Sequence, residues 1–356
     1  MLCKPHILKM RRYQTSVGRD LATGTRLDRN ERVSDFCTES LSKIFDQLDP
    51  SILTASPDAR QLYGAISKSV GKKADQIFLQ NGITECIRVM YDLGCEAGDN
   101  VVCIEPTYPM YKLYAEMYGI EFRPLTYNSS NLRLQIDSLS ELIDSRTRFV
   151  FLPNPNLPIE SCLSGAEIKS IADQCRLGNV FLVIDEAYYL FGGPTVIDLI
   201  EDCPNLIVLR TFSKAYGLAG LRIGFMVSKQ ENISYLSKSR SLVECNSMSM
   251  AIATYMLENP KLMQEHVREV AEGARTIKGI LKNNQIPFFG GDVTNAILIL
   301  LPDSSAPAEL VKVLREKNIY IRANFDEPIT NAARVSIGPP EIMTVVGKQI
   351  VQFFRR

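Results

Sequence analysis

The chain has 356 residues, enough for one large α/β core with a smaller companion. Its 40 basic and 40 acidic residues cancel to a formal net charge of +0, so composition offers no basic face to a nucleic acid, and the expected partners are a small molecule or a second copy of the chain. Nine cysteines without a CxxC pair, and only two histidines, His6 and His266, argue against a zinc site and a disulfide framework and fit a reducing cytoplasm.

Near the N-terminus Lys4, Lys9, Arg11 and Arg12 surround an apolar piece too short for the core of a signal peptide. From about residue 75 to residue 230, short β-rich runs alternate with segments of helical length. The runs are "QIFLQNG", "NVVCIEP", "EFRPLTY", "RFVFLPNP", "NVFLVIDEA", "LIVLRTFSK" and "RIGFMV". Several are apolar without alternation, the pattern of strands buried on both faces, which predicts a largely parallel sheet covered by helices. Residues 232–258 read as one or two long helices, and Met263 to Asn284 as an amphipathic helix stopped by its asparagines. There follow "NAILILLP", the helix "APAELVKVLREKN", "IYIRAN", "ARVSIGPP" and a last helix to Phe354. This order predicts a compact α+β unit that shares the N-terminal arm. The apolar run Ala296 to Leu301 is far too short to span a bilayer, and no membrane partner is expected.

Functional residues of open parallel sheets sit at the carboxyl ends of strands, which singles out Asn154 to Pro158, Asp185 to Tyr188, and Ser213 with Lys214. A carboxylate ending an apolar strand, Asp185 in "FLVIDEAYY", is costly to bury unless a positive group meets it. A protonated pyridine nitrogen is such a group, and a nearby lysine forms an imine with an aldehyde. Pyridoxal 5'-phosphate supplies both. Lys214 is then the candidate Schiff-base lysine, Asp185 the partner of the ring nitrogen, and Tyr188 a donor to the ring's phenolate oxygen. Ser213 and Arg222 suit a phosphate, with Gly217, Gly220 and Gly224 letting the backbone come close. In "QNGITE", Ile83 and Thr84 open a helix whose first amides can face the same anion, and Tyr108 in "EPTYPMY" can stack on a ring.

These segments together resemble the class I/II aminotransferases among the fold type I pyridoxal phosphate enzymes, in the branch of the histidinol-phosphate aminotransferases. The likeness runs from "RLDRNERV" through "QNGITECI", "EPTYPMYKLYAE", "NPNLPIE", "VIDEAYY" and "TFSKAYGLAGLRIGF" to "ARVSIGPPEIM". It implies a three-layer large domain with a mostly parallel seven-stranded sheet over residues 49–245, and a smaller α+β domain from residues 1–48 and 246–356. It also implies the roles given above for Lys214, Asp185, Tyr188, Ser213, Arg222, Ile83, Thr84 and Tyr108, and a homodimer with its active site at the subunit interface. Arg334 matches the arginine that grips a substrate carboxylate or its replacement, Arg322 one that takes a substrate phosphate, and Asn30 of the arm is expected near the substrate.

One segment departs from the family pattern. Where the family reads NPNNPTG, this chain reads "NPNLPIE", so Leu157 stands at the asparagine that donates to the ring phenolate, and Ile159 and Glu160 replace threonine and glycine. Asn156 or Asn154 is the expected substitute donor. Altered contacts beside the substrate bear on which bond is held ready to break. Three functions are therefore carried forward: an aminotransferase on a small amino acid or phosphorylated amine or keto substrate, a decarboxylase of an O-phospho amino acid, and a non-catalytic relative that binds a ligand.

Overall fold

The computed structural model describes residues 5–10, 19–46 and 48–355; Lys4, Arg11 and Arg12 lie outside them. Its strands in chain order are β1 (Thr25–Arg26), β2 (Ile77–Gln80), β3 (Asn100–Ile104), β4 (Glu121–Leu125), β5 (Thr147–Pro153), β6 (Phe181–Asp185), β7 (Leu206–Thr211), β8 (Gly224–Val227), β9 (Phe288–Gly290), β10 (Ala296–Leu300), β11 (Ile319–Tyr320) and β12 (Ala332–Ser336).

Seven of these strands form one sheet in the order β2-β8-β7-β6-β5-β3-β4, parallel throughout except for β8. The uninterrupted apolar runs are explained by burial on both faces. Val102, Ile104, Val150, Leu152, Leu182 and Ile184 enter one core, with the helices Arg60–Val70, Gly165–Leu177 and Ser247–Glu258. Their alternates Val101, Cys103, Phe149, Phe151 and Val183 enter the opposite core, with the helices Ile83–Gly94 and Met110–Tyr118. The period-two alternation of a strand therefore feeds two apolar layers.

A third core lies beyond the sheet, built from Leu27 and Val33 of the arm, the strands β10 and β12, and the helices Pro260–Asn283 and Pro340–Phe354. Two details differ from the sequence-based expectation. The segment "IYIRAN" pairs in parallel with the arm through β11 and β1 and reaches the antiparallel sheet at the isolated bridge from Arg322 to Arg334 of β12, while the unexpected β9 completes the order β12-β10-β9. The segment expected as one or two long helices holds two, and the first is short: Gln230–Leu236 is separated from Ser247–Glu258, where Ser239 and Ser241 donate to nearby carbonyls and Asn246 caps the second helix at 2.8 Å. Ile252, Ala253 and Met256 of that second helix pack into the core of the large sheet.

The architecture converges on one rim. Strands β2, β3, β5, β6 and β7 end there, and β8 begins there, because Thr211 and Gln80 both pair with Gly224. Among the described residues no helix is long and apolar enough to cross a membrane.

Candidate active site

A cavity of about 630 Å³ opens at this rim. All twelve expected site residues line it: Asn30, Ile83, Thr84, Tyr108, Asn156, Asp185, Tyr188, Ser213, Lys214, Arg222, Arg322 and Arg334. That volume suits a cofactor with a small substrate.

Asp185 closes β6 on the floor of the cavity and is 5% exposed. Burial pushes its carboxyl up from the ordinary 3.8 to about 6, against the opposing pull of the Tyr111 hydroxyl, the Ala187 amide and the charge on Lys214. Tyr111 donates to Oδ2 at 2.8 Å and the Ala187 N–H to Oδ1 at 2.9 Å. A desolvated carboxylate held this high is stabilised by a protonated ring nitrogen placed against it.

Lys214 follows β7. Its Nζ donates to the carbonyls of Asn30 at 3.1 Å and Arg29 at 3.4 Å, and lies 5.5 Å from the centroid of the Tyr188 ring. Asn30 is itself a junction. It is 3% exposed, adopts φ of 53°, donates from its backbone to Ser336 Oγ, and donates from Nδ2 to the Tyr188 hydroxyl at 3.1 Å. Asparagine tolerates that left-handed conformation better than most residues. The Asn295 side chain donates to the same Asn30 carbonyl that receives Lys214. Arg32, two residues further along the arm, turns away to donate to the Ser34 carbonyl and to cover the Phe36 ring.

A cationic cradle lies beside the lysine. Arg222 donates from Nη1 to Ser213 Oγ at 3.4 Å, and the helix Ile83–Gly94 points its first amides toward the same space. Two glycines make room for it. A Cβ on Gly82, where φ is 82°, would lie 2.9 Å from Arg222 Nη2, and one on Gly224 would lie 2.8 Å from the Ile83 nitrogen. Tyr108 bonds Thr84 at 2.9 Å and packs edge-on against Tyr111. Cradle, lysine, carboxyl and exposed aromatic fit a phosphorylated pyridine aldehyde on chemistry and on shape.

The expected substitute donors are committed elsewhere. Asn156 Nδ2 donates to the Pro106 carbonyl, the Tyr127 hydroxyl and the Ile159 carbonyl, and its Oδ1 accepts from Thr107. Asn154 is spent on both backbone groups of Leu163. Each therefore braces the loop, and Leu157, 7% exposed, gives the cavity an apolar wall. Three residues that orient this site, Tyr111, Asn295 and Ser336, were not singled out by sequence. Tyr111 carried a usable signal: a tyrosine one helical turn after Tyr108, buried beside strand ends, needs a partner for its hydroxyl.

Arg322 and Arg334 face each other across an antiparallel bridge, with Arg322 N–H donating at 3.1 Å and Arg334 N–H at 2.6 Å. Residues directly opposite in such a bridge share one face, so both side chains line the cavity's mouth.

Fold and site together define a pyridoxal phosphate enzyme with its lysine at the carboxyl edge of the sheet. Residues 50–350 match the family model for aminotransferase class I and II, and the chain belongs to that family. It is 30% identical over 307 residues to histidinol-phosphate aminotransferase 2 of Bacillus thuringiensis subsp. konkukian, covering 84% of this chain and 81% of that one. It is 31% identical over 344 residues to the dihydroxyacetone phosphate transaminase of Campylobacter jejuni, covering 93% of this chain and 90% of the relative. In fold it resembles the histidinol-phosphate aminotransferase of Sinorhizobium meliloti in complex with pyridoxal-5'-phosphate, with a TM-score of 0.88 at 23% identity over 99% of this chain and 98% of that one. The protein is a pyridoxal phosphate-dependent aminotransferase.

Proposed function

We propose that the protein exchanges an amino group between a donor amine and a small phosphorylated carbonyl compound. The observation that carries this reading is the pair Arg322 and Arg334, two guanidinium groups on one face at the mouth of the Lys214 cavity, suited to an anion of more than one charge. The two relatives at 30% identity or better named above are both transaminases of phosphorylated substrates, which favours amino transfer over carboxyl loss.

When bound, the cofactor supplies an aldehyde carbon for amines and a protonated ring that accepts an electron pair. In this reading Lys214 Nζ would hold the cofactor through its aldehyde and, when free, would carry the proton at the substrate carbon. The buried Asp185 carboxylate keeps the ring nitrogen protonated, and Tyr188, oriented by Asn30, donates to the phenolate oxygen. Ser213, Arg222 and the amides of Ile83 and Thr84 hold the phosphate, and Tyr108 covers the ring. Asn156 braces the loop.

We further infer a cofactor-binding domain over residues 49–245 and a smaller one from 1–48 and 246–356. The packing of Ile252, Ala253 and Met256 against the sheet is a reason to draw the join nearer Asn259. A homodimer is supported by Phe45 and Leu53, which stay 54% and 75% exposed. A cytoplasmic location fits the eight free cysteines among the described residues.

The test is a single turnover of the holoenzyme with glutamate and, separately, with a phosphorylated amino alcohol, following the cofactor spectrum and carbon dioxide together. Conversion of the cofactor to its amine form without carbon dioxide is expected. Carbon dioxide with the aldehyde form restored would make the protein a decarboxylase instead. Lys214→Ala should lose both the bound-cofactor band and turnover; unchanged turnover would overturn the mechanism.

A further inference from the structure

The loop that departs from the family pattern ends in Glu160, and its carboxylate reaches across to the third core. It accepts from the backbone N–H groups of Gly291 at 3.1 Å, Asp292 at 3.0 Å and Val293 at 3.2 Å, and from the Thr294 hydroxyl at 2.6 Å. Successive amides that converge in this way form a concave anion seat, here filled by the chain's own side chain. The fit is close. Gly290 and Gly291 have φ of 83° and 76°, and a Cβ on Gly290 would stand 3.1 Å from Glu160 Cβ.

Two connections lead from this seat to the catalytic rim. On one side, Glu160 belongs to the loop that carries Leu157 and Pro158 into the cavity, closed by the bridge between Asn156 and Ser161. On the other, Thr294 is followed directly by Asn295, which is 1% exposed and donates to the Asn30 carbonyl at 3.2 Å. That carbonyl is the one that receives Lys214 Nζ. We propose that Glu160 is a positioning residue for amino transfer, fastening the turn 291–294 to the substrate loop so that Asn295 holds Asn30, and Asn30 holds Lys214, in working register.

This inference rests on Lys214 carrying the cofactor. Its function is distinct from stapling the fold in general, because the turn has a second fastening: Lys278 binds Asp292 at 2.6 Å from the helix Pro260–Asn283. Releasing that ion pair frees the Asp292 side chain while removing none of the four donors to Glu160.

The experiment compares Glu160→Ala, Glu160→Gln and Lys278→Ala as holoenzymes. Each is read by the pH midpoint of the bound cofactor's absorption change, by kcat and KM separately, and by melting temperature. Glu160→Ala should move the midpoint by about half a pH unit or more and lower kcat about tenfold, with Glu160→Gln intermediate and Lys278→Ala unmoved in both. Melting temperatures that fall for Glu160→Ala while midpoint and kcat stay at the Lys278→Ala values would overturn the proposal, leaving Glu160 a structural clamp. Should Glu160→Ala not yield folded holoenzyme, Glu160→Gln preserves the side chain's shape and supplies the same readings. An unsubstituted protein with no cofactor band would defeat the functional reading itself, before any variant is compared.

Discussion

Asp185→Asn should stabilise the cofactor-free protein while it disables the enzyme. In the fold, burial raises the Asp185 carboxyl from 3.8 to about 6. A shift of that size corresponds to about 3 kcal/mol disfavouring the ionised form. The folded chain binds this proton more tightly than the unfolded chain, so the penalty is fully present above pH ~6 and fades as pH falls through the window between the two values. An asparagine carries no charge and keeps the oxygen that accepts from Ala187. The Tyr111 hydroxyl rotates to accept from the new amide. The assay is urea unfolding of both apoproteins at matched protein concentration. The variant should be more stable by about 3 kcal/mol near pH 7.5, with the gap closing to about 0.5 kcal/mol near pH 4. A variant equal to or weaker than the parent at neutral pH, or a gap that widens on acidification, would refute the claim that Asp185 is held ionised against its surroundings.

Tyr111→Phe removes a buried hydrogen bond to a charged group, about 1.5–3 kcal/mol, so the acid limb of the kcat/KM profile should move up by about 1–2 pH units. Gly224→Ala would press a methyl to 2.8 Å from the Ile83 nitrogen and the Gly82 carbonyl carbon, and to 2.9 Å from the Arg210 oxygen. These are backbone atoms that cannot yield, so about 1–3 kcal/mol of stability should go, with cofactor affinity falling in a fluorescence titration. Arg322→Ala should raise KM for phosphorylated substrates about tenfold or more, and leave KM for unphosphorylated ones nearly unchanged in the same steady-state assay.

Much of this site could be read along the chain because its parts lie at strand ends. An apolar run that stops at a charged or small polar residue, as at Asp185 or Ser213, marks both a buried strand and the edge where it emerges. Lys214 and Arg222 were linked by their short spacing, and the reversal from β7 into β8 returns the arginine to the same edge. What escaped were partners far apart in sequence. Glu160 was visible as a substitution, but its seat lies some 130 residues on, at a β9 turn whose Phe288–Gly290 strand is too short to announce itself. Tyr111 read as ordinary helix packing, because nothing local shows that its hydroxyl meets Asp185. The bonds of Asn154 and Asn156, expected as substitute donors, were hidden for a related reason: a side-chain amide finds its partners in three dimensions, here Leu163 for one and Pro106, Thr107, Tyr127 and Ile159 for the other.

The clasp around Lys214 also has an order of assembly. The lysine's two carbonyl partners belong to residues 29 and 30, made early, yet Asn30 is held by Ser336, which lies 306 positions later. During synthesis the seven-stranded sheet, complete by residue 227, can pair long before that serine exists. Until Ser336 is made, the arm lacks the latch that holds Asn30 against the lysine edge. The working geometry around Lys214 thus depends on a contact that ties the arm to strand β12, and it cannot be complete before both segments exist.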